Sequence, residues 1–95
     1  MISPNEVFKA LADPTRREII RLLRGGPRTS GEIAEKFPIA WATISRHLGV
    51  LKAADLITAE RNGTSIKYEL NATVMQELAT HVLDWTNFGS GGNDA

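Results

Sequence analysis

The stretch that decides the fold is WATISRHLGVLKAADLI, from Trp41 to Ile57. Three of its apolar residues recur at i, i+4 and i+7, which places them on one face of a helix. They are Ile44, Leu48 and Leu51. The opposite face carries small residues around Arg46, and no acidic residue occurs in the stretch before Asp55. Since a solvated helix face is usually rich in glutamate and lysine, this flat face indicates a helix that approaches a large surface closely.

Capping signals before this stretch predict three further helices. Ser3 and Asp13 are each followed by a proline, which is the pattern of an N-cap and a first helical residue. The segment TSGE, residues 29–32, has the threonine and glutamate of a capping box. The second helix is expected to end at the glycine pair 25–26, and the third before Pro38.

The residues after Asp55 change from helical to alternating spacing. Two alternating apolar runs flank the pair Asn62-Gly63, which is the strongest short-range signal of a β-hairpin. Apolar residues return to helical spacing in the segment 71–88, but over more than one stripe. One stripe covers the core, so the excess requires a further partner surface. The last seven residues, GSGGNDA, are expected to form a disordered tail, 89–95.

These elements predict one mainly α domain with a two-stranded β wing over residues 1–88, in the order α-α-α-α-β-β-α. Two helices joined by a tight turn at residues 37–39 and followed by a hairpin form a winged helix-turn-helix. The length of 95 residues with 42% apolar content suits a single core. No run of apolar residues is long enough to span a membrane, so the chain is expected to be cytoplasmic, without membrane insertion.

Charge and cysteine content narrow the possible partners. The net charge of the chain is zero, but the charges are unevenly distributed. Residues 1–68 hold all eleven Lys and Arg against seven acids, which gives this part a charge of +4. Residues 69–95 hold four acids and no Lys or Arg. This asymmetry favours an anionic partner on the basic part, although ordinary solvated charge explains it equally well. The chain has no cysteine, which excludes disulfides and thiolate zinc sites.

In a winged helix-turn-helix, the second helix of the pair enters the DNA major groove. Hydroxyls and a guanidinium can hydrogen-bond to base edges and phosphates, and the hairpin tip adds two cations. The residues expected to contact DNA are therefore Trp41, Thr43, Ser45, Arg46, His47, Arg61 and Lys67. His47 could equally satisfy a neighbouring backbone carbonyl. Arg16 and Arg17 are expected to be structural, pairing with Glu18 or Glu69 or lying on the surface.

Four segments resemble those of the ArsR-type (arsenical-resistance repressor) winged-helix transcriptional regulators, over roughly residues 5 to 88. They read VFKALADPTRREIIRLLRGG, TSGEIAEKF, TISRHLGVLKAADLI and ERNGTSIKYELN. The chain is most similar to the small SdpR-like autorepressors, which also lack metal-ligand cysteines. The resemblance implies a homodimer that pairs through its first and last helices and occupies a pseudo-palindromic double-stranded DNA operator until a signal displaces it. The interface residues are expected to be Val7, Phe8, Leu78, Val82, Trp85 and Phe88.

The chain departs from the metal-sensing members of this family. These carry a cysteine pair, or Asp and His ligands on the last helix, whereas this chain has no cysteine and only His81 there. We therefore expect no metal and no cofactor. Glu77, His81 and Asp84 stand at i, i+4 and i+7, which leaves a zinc-responsive repressor as an alternative. A further departure is Ala40, where many members have a serine that caps the recognition helix.

Two other classes of function are alternatives to a DNA-binding regulator. A winged helix used for protein contact is an alternative, but it predicts an apolar patch in place of Arg46 and a wing without Arg61 and Lys67. An enzyme is not expected, because two isolated histidines without a nucleophile, paired carboxylates or a phosphate loop form no catalytic constellation. No residue pattern points to a particular inducing signal.

Overall fold

The computed structural model describes the backbone of residues 3–93 and the side chains of residues 3–84. Five helices and three short strands follow one another along the chain. They are α1 (Pro4–Leu11), α2 (Pro14–Leu23), β1 (Arg28–Thr29), α3 (Ser30–Glu35), α4 (Trp41–Ala53), β2 (Ile57–Asn62), β3 (Ser65–Leu70) and α5 (Ala72–Asn93). The mainly helical architecture with a β wing is confirmed. The two-residue strand β1 was not predicted, since it is too short for alternating spacing to show.

Side-chain caps fix the starts of α2 and α3. The carboxylate of Asp13 accepts a hydrogen bond from the backbone N–H of Arg16 at 3.0 Å, and this bond lowers the pKa of Asp13. Thr29 and Glu32 form the predicted capping box, with N···O distances of 3.2 and 2.8 Å. The backbone N–H of Thr29 lowers the pKa of Glu32 in the same way. Ser3 is the N-cap of α1, but its side chain makes no capping hydrogen bond.

The sheet has β3 in the centre, with β1 and β2 antiparallel on its two sides. β2 and β3 pair from Ile57 opposite Leu70 to Asn62 opposite Ser65. The turn is therefore Gly63-Thr64, one residue later than the Asn-Gly pair suggested. Gly63 has φ 63°, and a glycine at the first central position with positive φ is typical of a type II′ hairpin turn.

The core is a single apolar cluster to which every helix contributes. Its largest fully buried members are Val7, Ile19, Ile33, Ile44, Leu51, Leu56 and Ile57. Ile44, Leu48 and Leu51 of α4 all face this cluster, as their spacing predicted. Val7 is 0% exposed within one protomer, so its expected place at a dimer interface is wrong. Val7 and Ala10 lie at i and i+3 and turn the same face of α1 into the core.

Helix α5 extends to Asn93, past the boundary expected after residue 88. Glycine lowers helix stability by roughly 1 kcal/mol relative to alanine, so local propensity did not predict a helix through the glycine-rich sequence 89–92. The side chains of 85–95 and the backbone of 94–95 lie outside the described residues. The division into a domain of residues 1–88 and a tail stays a prediction.

Candidate nucleic-acid interface

Helices α3 and α4 form the helix-turn-helix, and α4 is its second helix. The buried Ile33 and Ile44 belong to the core shared by the two helices. Ile39 in the turn between them is 39% exposed, and Trp41, the first residue of α4, is 56% exposed. α4 starts after Ala40, whose side chain cannot cap it, so the first N–H groups of α4 have no side-chain acceptor there.

The outward face of α4 consists of residues that lie outside the apolar core. Trp41, Ala42, Ser45, Arg46 and Gly49 are all exposed, and Thr43 is half-buried. Trp41, Thr43, Ser45 and Arg46 therefore stand together at the first two turns of one helix, as expected. The face carries the guanidinium, hydroxyls and apolar groups that read a major groove.

His47 does not belong to this face, and its expected DNA contact is contradicted by its burial. The side chain is 7% exposed. Its Nδ1 lies 3.2 Å from Nη1 of Arg16, and its Nε2 lies 3.9 Å from Oδ2 of Asp13. Its partner is therefore a guanidinium, and not a backbone carbonyl. The helical spacing of the sequence predicts the burial of His47. It follows Ile44 by three residues and precedes Leu51 by four, which places it on the core face of α4.

Arg16 and Arg17 are structural, as expected, but their partners differ from the expected glutamates. Arg16 bonds to His47 and to carbonyls of α1, and Arg17 donates to the carbonyl of Leu11 at 2.7 Å. Glu18 pairs instead with Arg21, one turn along α2. Residues in different helices cannot be paired from sequence spacing alone, which is why these contacts were missed.

The two cations of the wing do not share a surface. Lys67 stands opposite Glu60, whereas Arg61 stands opposite Ile66. Because successive residues of a strand point to opposite faces, Arg61 and Lys67 lie on opposite faces of the hairpin. Both are exposed. Arg61 lies near the hairpin tip, two residues before the turn glycine.

Three of the expected dimer residues on α1 and α5 are partly accessible in the single protomer. Phe8 and Leu78 are half-buried, and Val82 is 41% exposed. Leu83, which was not assigned to the interface, is 59% exposed. The side chains of Trp85 and Phe88 lie outside the described residues.

The last helix contains no metal cluster within the part that the structure describes. Among residues 3–84, no three His, Asp or Glu side chains are grouped so that they could hold a metal ion. Glu77, His81 and Asp84 are therefore not grouped as metal ligands in the described part of the protomer. No described helix is long and apolar enough to cross a membrane.

A winged helix-turn-helix whose second helix presents an acid-free outer face is typical of DNA-binding proteins. Residues 11–60 match a family model described as a helix-turn-helix domain. The chain is 49% identical to the transcriptional repressor SdpR of Bacillus subtilis over 85 residues, which cover 90% of this chain and 94% of that protein.

Solved structures of ArsR-family regulators are also similar to this chain. The crystal structure of an ArsR family transcriptional regulator matches with a TM-score of 0.83 and 26% identity, over 90% of this chain and 89% of that one. A solution structure from Mycobacterium bovis, described as the homodimeric winged helix-turn-helix domain of a possible ArsR-family regulator, matches with a TM-score of 0.71 and 31% identity, over 86% and 77% of the two chains. The chain belongs to the ArsR-type winged helix-turn-helix transcriptional regulators and is of the SdpR type. It is a DNA-binding regulator and not an enzyme.

Proposed function

We propose that the protein is a homodimeric repressor that binds a pseudo-palindromic operator with helix α4 of each protomer and acts without a metal. The observation that carries this proposal is the outer face of α4. Its residues Trp41, Ser45 and Arg46 are exposed, and the core of the domain is complete without them. Since these side chains lie outside the apolar core, their chemistry is available for a ligand.

The chemistry of this face suits a DNA major groove. The Arg46 guanidinium can donate two hydrogen bonds to guanine or to a phosphate, and the hydroxyls of Thr43 and Ser45 can bond to bases or to the backbone. Trp41 offers an apolar surface for a thymine methyl group. The uncapped start of α4 points N–H groups and the positive end of the helix dipole outward, which favours a phosphate.

Dimerisation is supported by the apolar surface of α5. Val82 and Leu83 are large apolar side chains that are 41% and 59% exposed in the single protomer. A second copy would cover them, and one structural relative is described as homodimeric. Two-fold symmetry would place the two α4 helices in successive major grooves, about 10 to 10.5 bp apart or a multiple of that.

A repressor of this kind should bind DNA in a strongly salt-dependent manner despite its zero net charge. The basic residues all lie within residues 1–68, and the excess of acid lies in 69–95. If the dimer neutralises about 6 to 10 phosphates, its affinity falls by roughly three to five orders of magnitude between 50 and 200 mM salt.

The proposal is tested by fluorescence anisotropy with the DNA upstream of the protein's own gene, a shuffled duplex of equal length, and a pool of genomic fragments. We expect tight binding to at least one genomic fragment, with a two-fold symmetric footprint and a dimer in sedimentation. A monomer that binds one half-site as tightly as the full operator would refute the dimeric model. Equal, weak binding to all duplexes would instead favour a protein-interaction module.

A further inference from the structure

Arg16 joins the end of α1 to the inner side of α4. Its Nε donates to the carbonyl of Ala10 at 2.5 Å, and its Nη2 donates to the carbonyl of Lys9 at 3.2 Å. Its Nη1 lies 3.2 Å from Nδ1 of His47. The last carbonyls of a helix have no partner within the helix, so a guanidinium placed there stabilises α1. The Arg16 guanidinium also contacts His47, which is the only buried polar side chain among residues 3–84.

The contact with Arg16 selects one tautomer of His47. Arginine can only donate hydrogen bonds, so Nδ1 of His47 accepts in this contact and the ring proton lies on Nε2. That Nε2 faces the carboxylate of Asp13 at 3.9 Å, and Asp13 in turn accepts from the backbone N–H of Arg16. Arg16 and Asp13 of the α2 start are the charged groups that face the ring in the described part of the chain. α1 contributes the backbone carbonyls that Arg16 binds, and no ion pair or hydrogen bond from α3 or β2 to the ring is present there.

We propose that Arg16 and His47 are positioning residues for DNA recognition, which hold α4 in the orientation that presents its outer face to the operator. This inference rests on the proposed function, because operator binding is its readout. His47 follows Ser45 and Arg46 directly on the same helix. A helix is a rigid unit, so a rotation or shift of α4 at His47 moves Ser45 and Arg46 with it. Neither Arg16 nor His47 needs to touch the DNA.

The test uses three single variants of the full chain. His47→Asn keeps an acceptor near the position of Nδ1, whereas His47→Leu fills a similar volume without an acceptor. His81→Asn is the matched control, because His81 is the other histidine of the chain. Operator affinity is measured by anisotropy for all variants in the same buffer. Circular dichroism verifies that each variant is folded.

We expect His47→Leu to bind the operator about tenfold more weakly than the wild type, and His47→Asn and His81→Asn to bind within about threefold of it. Nitrogen NMR of the wild-type imidazole should show the Nε2–H tautomer, which a purely steric role would not require.

The inference is overturned if folded His47→Leu binds like the wild type, if folded His47→Asn binds as weakly as His47→Leu, or if the ring carries its proton on Nδ1. In each of these cases wild-type operator binding persists and the proposed function stands. A wild-type protein that binds no genomic fragment would remove the proposed function and this inference together.

Discussion

Arg46→Ala is the substitution that most directly probes the outer face of α4. Arg46 is exposed, and no hydrogen bond or ion pair connects it to another described residue. Its removal should therefore leave the stability of the domain unchanged. In a homodimer one substitution removes the guanidinium from both half-sites of the operator, so any contact is lost twice.

The expected loss follows from the number of contacts. An arginine that contacts a base contributes about 1 to 3 kcal/mol, so two equivalent and independent contacts contribute about 2 to 6 kcal/mol. The lower limit corresponds to a rise of roughly 30-fold in Kd. If Arg46 binds phosphate, the slope of log K against log salt should also decrease by about 2 per dimer. If it binds a base, the slope should be unchanged and the preference for that base should weaken.

Lys52→Ala is the matched control. Lys52 is exposed in the last turn of α4 and carries the same charge, but it lies six residues further on, about 9 Å along the helix axis. That distance is close to the Debye length at physiological salt, so removal of this charge should change Kd little. Anisotropy titrations at several salt concentrations measure both variants. If folded Arg46→Ala binds the operator as well as Lys52→Ala does, Arg46 does not contact the DNA.

Four further outcomes are expected. Val82→Asp should shift sedimentation toward the monomer and weaken operator binding with it, whereas Thr80→Asp, on a different side of α5, should do neither. Zinc, cadmium, arsenite or a chelator should leave the operator complex intact; a tenfold zinc effect that is lost in His81→Ala would contradict this. The backbone N–H of Arg16 lowers the pKa of Asp13, so the ionised cap stabilises the fold above about pH 4. This stabilisation is lost as the pH falls through the lowered pKa of Asp13. Asp13→Asn keeps a capping oxygen but does not ionise, so it should lose less thermal stability than the wild type between about pH 5 and pH 2. Replacing operator thymines by uracil should weaken binding of the wild type but not of Trp41→Ala, if the indole contacts a thymine methyl group.

Features that depend on local chemistry could be predicted from the sequence. The caps at Asp13 and Thr29 were identified because a side chain and a backbone N–H three residues later are sufficient to form them. The core face of α4 was identified because helical spacing alone determines which residues share a face. Both kinds of feature need no information about distant parts of the chain.

Features that depend on pairing between elements were missed. The strand β1 exists because Arg28 and Thr29 lie beside β3, and two residues alone show no pattern. The exact register of the hairpin also depends on its turn: Gly63 takes the first turn position, so Lys67 pairs with Glu60 and not with Thr58, its partner if Asn62-Gly63 forms the turn. Arg61 is an odd number of residues from both of these partners, so alternation along the strands places the two cations on opposite faces in either register.

The residues that stabilise the fold and those available for DNA are separate on α4, and this separation has a physical consequence. The inner residues Ile44 and Leu51 are at most 1% exposed, whereas Trp41 and Arg46 are open to solvent. Substitutions of the outer face can therefore change the operator preference without a loss of stability. His47 is the exception, since it is buried with the core but bonded to Arg16 in another helix. A change at this one position alters how the whole outer face is presented, so its effect on DNA binding should extend to every operator sequence alike, unlike that of a residue that reads a single base.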